Sequence, residues 1–256
     1  MKNIAIITGA SSGMGRELAL QITKEYKYDE IWVIARSVQK LESLKKEINC
    51  PVRVIPLDLT CSESFDKYSE TLKKENPNVR FLANCSGYGK FGTYSDIPLS
   101  ESLGIIDLNC KALVAITELT LPYMPEGSNI LQLDSLSSFQ PVPYLNVYGA
   151  SKAFVLSYSR GLNAELKNRG IKVMAVCPGW VKTDFFERAM VTNKNAVTYF
   201  NVLYEARDVI KTAIKDMKKG KELSIHGFPV KMQVFLVKHL PHKLVMKIWL
   251  KQQKHD

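Results

Sequence analysis

The chain reads as an α/β protein built on a doubly wound parallel sheet, and three observations predict it. Short apolar runs alternate with amphipathic helical patterns along the whole length, as in parallel strands buried on both faces. The first of these runs, Ile4 to Ile7, leads directly into Thr8-Gly-Ala-Ser-Ser-Gly-Met-Gly15 and then a helical stretch from Arg16 to Lys24. The 256 residues carry no internal repeat or low-complexity segment, and α/β folds of that size commonly form one domain. No second domain is expected.

Each further element is justified in order by its pattern. Ile31 to Ala35 is a second buried strand, ending at Arg36-Ser37 before a helix to about Ile48. Val52 to Leu57 is the third strand and delivers Asp58-Leu59; Thr60-Cys-Ser-Glu63 then has the spacing of a capping box opening a helix to about Lys74. Phe81 to Cys85 is the fourth strand. Ser100 to Leu121 forms a helical pattern with Asn109 inside it, a residue that is only a modest helix former. Ile130 to Asp134 is the fifth strand, Pro141 and Pro143 break the segment after it, and Tyr148 opens a helix whose apolar stripe is Val155, Tyr158, Leu162 and Leu166. Gly170 suits its C-terminal cap. Lys172 to Cys177, the sixth strand, runs into Pro178-Gly179.

From Asp184 to about Asn201 the sequence is polar and irregular, with Phe185, Phe186, Tyr199 and Phe200 interspersed. Glu205 to Lys219 reads as a helix and Glu222 to Ile225 as a last strand. Pro241 then splits Val230–Leu240 from a final helix, in which Leu244, Val245, Ile248 and Trp249 share one face while Lys243, Lys247, Lys251 and Lys254 line another. Such a helix can lie on an anionic bilayer, guide an amphipathic substrate, cover a partner subunit or cover its own core.

The net charge of +10 admits nucleic acid, a membrane surface or an anionic ligand, but lysine is spread along the chain, and a solvated basic surface is the simpler reading. No nucleic-acid partner is expected. Cys50, Cys61, Cys85, Cys110 and Cys177 are scattered and lack metal-ligand spacing, which suits a reducing cytoplasm. The opening MKNIAIITGA is too short an apolar run for a signal peptide, and no stretch approaches the ~20 apolar residues of a membrane span. A soluble cytoplasmic protein is expected. None of His226, His239, His242 and His255 joins a cluster with Cys or acidic partners, so no metal is expected.

Two constellations carry chemistry. Strand, glycine-rich turn and helix N-terminus make an anion site, where bare backbone approaches a pyrophosphate and the helix dipole favours its charge. The spacing here is Gly-x-x-x-Gly-x-Gly, with Gly9, Ser11, Ser12, Gly13, Met14 and Gly15 at the turn. Farther on, Tyr148 and Lys152 are four apart and share a helical face, so an ammonium can lie near a phenol that titrates near ~10 in water. One cation does not easily lower it far enough; a second positive charge, such as an oxidised nicotinamide ring, would help. Ser135, at the end of the fifth strand, can hold a carbonyl or alcohol oxygen against the phenol. An acidic residue near the end of the second strand would favour NAD by binding a ribose hydroxyl. Ala35 occupies that position, and the guanidinium of Arg36 with the hydroxyl of Ser37 suits a 2′-phosphate, so NADP is expected in preference to NAD.

From about Asn3 to Thr183 the chain resembles the short-chain dehydrogenase/reductase family. The resemblance rests on Thr8-Gly9-Ala10-Ser11-Ser12-Gly13-Met14-Gly15, Asp58-Leu59, Asn84-Cys85-Ser86-Gly87, Asn109, Ser135, Tyr148-Gly149-Ala150-Ser151-Lys152 and Pro178-Gly179-Trp180-Val181-Lys182-Thr183. It implies an NADP(H)-dependent oxidoreductase of carbonyls and secondary alcohols, with Tyr148 as acid and base. Lys152 would lower the phenol's pKa and bind the nicotinamide ribose, Ser135 would polarise the substrate oxygen, and Asn109 would hold a helix kink and a water relay. It further implies that Asp58 and Leu59 surround the adenine, that Asn84, Ser86 and Gly87 approach the cofactor, and that Pro178, Gly179, Val181 and Thr183 flank the nicotinamide. Cys85 and Ser86 depart from the family's usual Asn-Ala at those positions, and Ser12 stands where it often has a basic residue.

These expectations divide the chain into a catalytic Rossmann domain over 1–227, with a substrate lid at 184–203, and a basic amphipathic extension over 228–256. The lid aromatics and Met190 are expected either to close over an apolar substrate or to pack on the core. The stripe around Tyr158 suggests a homo-oligomer. The rivals are an NADP-binding sensor or scaffold without turnover, and a membrane-surface enzyme of acyl or lipid carbonyls.

Overall fold

The computed structural model describes residues 1–190, 192, 193 and 195–254; His255 and part of the expected lid thus fall outside the described residues. Its sheet runs β3-β2-β1-β4-β5-β6-β9, from Val52–Pro56, Glu30–Ala35, Asn3–Thr8, Asn78–Asn84, Asn129–Leu133, Lys172–Val176 and Leu223–Ser224. Every one of these pairings is parallel. The strands are apolar throughout because both faces are covered. Ala5, Ile7, Ile31, Val33 and Leu131 meet helices α1 (Gly13–Glu25), α2 (Val38–Lys45) and α8 (Ala206–Lys218) on one side. The alternate residues Ile4, Ile6, Trp32, Ile34 and Ile130 meet α3 (Glu63–Glu75), α5 (Ala112–Thr120) and α6 (Asn146–Glu165) on the other.

The strand order reverses at β1, which pairs with β2 on one side and β4 on the other. At such a switch point the loops leaving neighbouring strands diverge and leave a crevice at the strands' carboxyl ends. Thr8 ties the two lips together: its hydroxyl oxygen accepts from the N–H of Cys85 (3.1 Å) and of Ser86 (3.2 Å).

Several local expectations need correction. The capping box at Thr60 does not form, because the Thr60 hydroxyl donates to Asp58 (2.7 Å) and Ser62 takes the N-cap of α3 without a side-chain bond. The second helix stops at Lys45 rather than near Ile48. The single helix expected around Asn109 is three pieces: α4 (Leu99–Ile106), a π-helical turn over Asp107–Lys111, and α5. A short parallel pair, β7 (Trp180–Lys182) with β8 (Leu203–Glu205), was not legible as strands and brackets the lid region. Gly170 adopts φ +63° at the end of the turn after α6, as its cap position requires. After Gly227 come α9 (Phe228–His239) and α10 (His242–Gln252), divided at Pro241.

Candidate active site

The glycine-rich turn is built so that no side chain fits in it. Gly9 has φ +66°, and a Cβ there would lie 2.7 Å from the backbone of Cys85 and Ser86. A Cβ on Gly15 would lie 2.4 Å from the Gly9 carbonyl oxygen. The turn therefore presents bare backbone at the start of α1, whose N-cap Ser12 makes no side-chain capping bond. These are the features a pyrophosphate needs, and a dinucleotide fits this cradle.

Every predicted nucleotide-contact residue except Asn84 lines one continuous cavity of ≈ 1720 Å³. A single small-molecule site commonly occupies about 300–1,000 Å³, so this space has room for a dinucleotide and a second ligand. Asn84 is a correction. Its side chain is buried and donates to Thr117 (2.9 Å) and Gln132 (3.0 Å). These partners, on α5 and β5, hold the side chain between sheet and helix, away from the cavity.

Where the adenosine is expected, exposed Arg36 stands 3.8 Å from the Asp58 carboxylate. Burial works to raise the Asp58 carboxyl, but bonds from the N–H and hydroxyl of Thr60 and the charge of Arg36 outweigh it and hold it below its ordinary range. Ser37 caps α2 by accepting from the Lys40 N–H (3.4 Å). Leu59 is buried beneath. Thr183, from the loop after β7, sits over Gly13: a Cβ added there would lie 3.1 Å from its methyl. Pro178 accepts from the Leu136 N–H (2.8 Å), joining the loops that follow β5 and β6.

The reacting end is set by α6. Burial pushes the Tyr148 phenol above its ordinary range, while a hydrogen bond from Ser135 works in the opposite direction. The Lys152 Nζ lies 5.7 Å from the centre of the Tyr148 ring and donates to the Leu133 carbonyl (2.6 Å). Burial lowers the Lys152 ammonium, opposed by Asp134. Desolvation of the ring thus outweighs what the chain's own groups supply.

Asn109 sits in the π-helical turn, 1% exposed. Its side chain accepts from the Tyr88 N–H (3.0 Å) and donates to the Tyr88 carbonyl (3.0 Å) and the Ser151 hydroxyl (2.9 Å). The kink is there, and its amide fixes the loop after β4 against α6. A Cβ on Gly87 would lie 3.0 Å from Asn109 Oδ1 and 3.6 Å from Lys152 Nζ, so these three groups share one corner.

Sequence reasoning missed three residues here. Gly89 lets the Tyr148 ring lie against the chain, since a Cβ there would come within 2.8 Å of it. Arg188 on α7 (Phe185–Ala189) stacks on the Tyr88 ring at 3.6 Å. Asp134, read only as the end of a strand, is 2% exposed, with the Cys177 thiol 3.4 Å from Oδ2. Burial pushes its carboxyl up to about 7, opposed chiefly by Lys152. No periodicity distinguishes such a buried carboxyl from a solvated strand end; its place between Leu133 and Ser135 was the available signal.

The Asp134 shift has a stability consequence. The folded protein holds this proton more tightly than an unfolded chain, whose aspartates titrate near ~3.9. The contribution is fully present below that value and is lost as pH rises through about 7. Asp134→Asn should therefore gain on the parent by a few kcal/mol between pH 4.5 and about 8.5, read by denaturant unfolding. A gap that does not change with pH contradicts the assignment.

The segment expected to form a lid joins an aromatic cluster. Phe91, Trp180, Phe185, Phe186 and Phe200 make edge-to-face contacts and Trp249 stacks on Trp180, with centroids 5.0–6.5 Å apart. Phe185, Phe186 and Tyr199 line the cavity, while Met190 and Phe200 pack behind them. The tail closes onto this cluster: Trp249 donates to the Pro143 carbonyl (3.0 Å), and Gln253 accepts from the N–H groups of Thr198 and Tyr199 (2.8 and 2.9 Å).

Residues 3–194 match the family described as short chain dehydrogenase, and the chain belongs to that family. It is accordingly an oxidoreductase acting on CH–OH and C=O groups with a nicotinamide dinucleotide. Among its relatives, sulfoacetaldehyde reductase 2 of Chromohalobacter salexigens is 32% identical over 194 residues, covering 72% of this chain and 75% of that protein. The very-long-chain 3-oxoacyl-CoA reductase of Bos taurus is 31% identical over 256 residues, covering 95% of this chain and 77% of that one. The solved short-chain dehydrogenase from Sphingobium yanoikuyae in complex with NADPH superposes with a TM-score of 0.80 at 25% identity, covering 95% of each chain.

Proposed function

We propose that this protein interconverts a carbonyl and a secondary alcohol with NADP(H), Tyr148 giving the proton in reduction and taking it in oxidation. The observation that carries the reading is the meeting of Ser135, Tyr148 and Lys152 in the same cavity that begins at the glycine-rich turn. When bound, the dinucleotide supplies the hydride. The chain does the rest. Ser135 holds the substrate oxygen at the phenol, and Lys152 contributes positive charge beside the ring and grips the nicotinamide ribose. Asn109 fixes the corner through which a water relay returns the proton to Lys152. Val181 and Thr183 hold the carboxamide end, and Gly13 and Ser12 the pyrophosphate.

Arg36 and Ser37 favour the 2′-phosphate of NADP; the solved relatives include complexes with NADPH and with NAD, so the choice rests on these two residues. A charge-assisted bond is worth about 1.5–3 kcal/mol. Arg36→Asp is thus expected to lower the NADPH:NADH ratio of kcat/KM by roughly 10- to 150-fold, measured with both cofactors against a panel of ketones and aldehydes. An unchanged ratio contradicts the assignment; consumption of neither cofactor with any carbonyl counts against the function.

Domain limits accord with the same reading: 1–227 carries the catalysis, and the extension over 228–256 contributes Phe228, Met232, Leu236 and Ile248 to the cavity wall. We assign the protein to the cytoplasm, where its free thiols stay reduced. Half-exposed Leu103 and Ile106 on α4 and Phe154 on α6, stacked on Tyr158, suit a second copy of the chain, and sedimentation velocity separates a dimer from a monomer. The bovine relative's name points to chain-bearing ketones among the candidate substrates.

A further inference from the structure

The final apolar face does not behave as one surface. Trp249 is buried in the aromatic cluster and Val245 is buried in the cavity wall, whereas Leu244 and Ile248 on the same helix are 44% and 45% exposed. On α9, Phe228, Met232, Phe235 and Leu236 are likewise exposed, at 73%, 42%, 59% and 48%. The two helices thus leave a group of large apolar side chains facing water, which soluble surfaces ordinarily scatter rather than gather.

Position and charge define what this group faces. Phe228, Met232, Leu236 and Ile248 also line the cavity that holds Tyr148, so the apolar group is the rim of the substrate entrance. The charge along these two helices has one sign. Between Phe228 and Lys254 the chain has six lysines and no aspartate or glutamate. None of Lys231, Lys243, Lys247 and Lys251 has a carboxylate partner among the described residues. Apolar side chains interleaved with unpaired lysines on short helices are what an anionic lipid surface accepts, the rings and aliphatic groups entering the acyl boundary while the ammonium groups meet the headgroups. No helix among the described residues is long and apolar enough to cross a membrane, so the contact is with the surface.

We propose that α9 and α10 dock the protein on an anionic bilayer, with the cavity mouth against the lipid, so that a carbonyl substrate carrying a long apolar chain passes from the membrane to Tyr148. The substrate class rests on the oxidoreductase reading above; the docking does not. A second copy of the chain would bury the apolar group but would bring like charges together, since both faces carry the same lysines.

The test uses the full chain with vesicles of phosphatidylcholine alone or mixed with phosphatidylglycerol, read by co-sedimentation. Binding is expected only to the anionic vesicles and should weaken as salt is raised. Phe235→Ser with Leu244→Ser, and separately Lys243→Glu with Lys247→Glu, should each reduce it by at least about tenfold. None of these four residues lines the cavity, so NADPH affinity and turnover of a short water-soluble ketone should be unchanged. Those two readouts fail if the enzymatic reading is wrong, independently of the vesicles. Docking is overturned if the chain does not sediment with anionic vesicles, or if it does so equally after both pairs of substitutions. It is overturned too if the serine pair instead dissociates an oligomer in sedimentation velocity.

Discussion

Tyr148→Phe is expected to lower kcat by about 10²- to 10⁴-fold, the usual range for losing a positioned proton donor, with NADPH binding and thermal stability retained. The reason for retention is in the packing. The ring, not the hydroxyl, meets Gly89 and stands 5.3 Å from the centre of Phe185, and phenylalanine keeps both contacts. Burial raises the phenol and Ser135 only partly offsets this; on the proposed mechanism, the positive charge of a bound oxidised nicotinamide would help make the phenolate accessible. Single-turnover kinetics with saturating NADPH check the prediction. Turnover that survives the substitution contradicts the role, and a sensor without turnover would keep its output in the variant.

A second large loss is expected from Gly15→Ala, although the change adds one methyl group. That methyl would lie 2.4 Å from the Gly9 carbonyl oxygen and 2.8 Å from its carbon. Gly9 cannot retreat, because at φ +66° it is itself pressed against the backbone of Cys85 and Ser86. Overpacking typically costs about 1–3 kcal/mol where side chains can shift; here the obstacle is backbone, and the upper end is expected. If strain of about 3 kcal/mol falls on the geometry that receives the pyrophosphate, NADPH affinity drops by roughly 100-fold, accompanied by a lower Tm. Titration by NADPH fluorescence with parallel thermal unfolding checks both. Unchanged affinity with a lower Tm would assign the glycine to folding alone.

The sheet and the catalytic helix were legible because their signals are local. Ile4–Ile7 and Ile31–Ala35 are apolar at every position, as strands covered on two faces must be, and the Tyr148–Lys152 spacing places both groups on one side of a helix wherever that helix packs. The illegible parts depend on partners distant in sequence. Asn84 has the right neighbours for a cofactor contact, yet Thr117 and Gln132 draw its side chain into the interior. The capping box at Thr60 failed because Asp58 competes for the same hydroxyl. The resemblance implied a kink at Asn109, but the helical pattern did not show its π-helical form, in which the asparagine amide reaches Tyr88 and Ser151. The tail's apolar face was legible from its spacing, but its division into a buried pair and an exposed pair depends on distant partners: Trp249 packs in the aromatic cluster and donates to the Pro143 carbonyl, and Val245 lines the cavity.

The central claim is that hydride passes within the cavity containing Tyr148, and following the transferred atom tests it most directly. NADPH carrying deuterium at the nicotinamide C4 should place one deuterium on the former carbonyl carbon of the alcohol product, detected by mass spectrometry, with the transfer all but abolished in Tyr148→Phe. Saturable NADPH binding without deuterium in any alcohol across the carbonyl classes tried, or transfer undiminished in the variant, would contradict it.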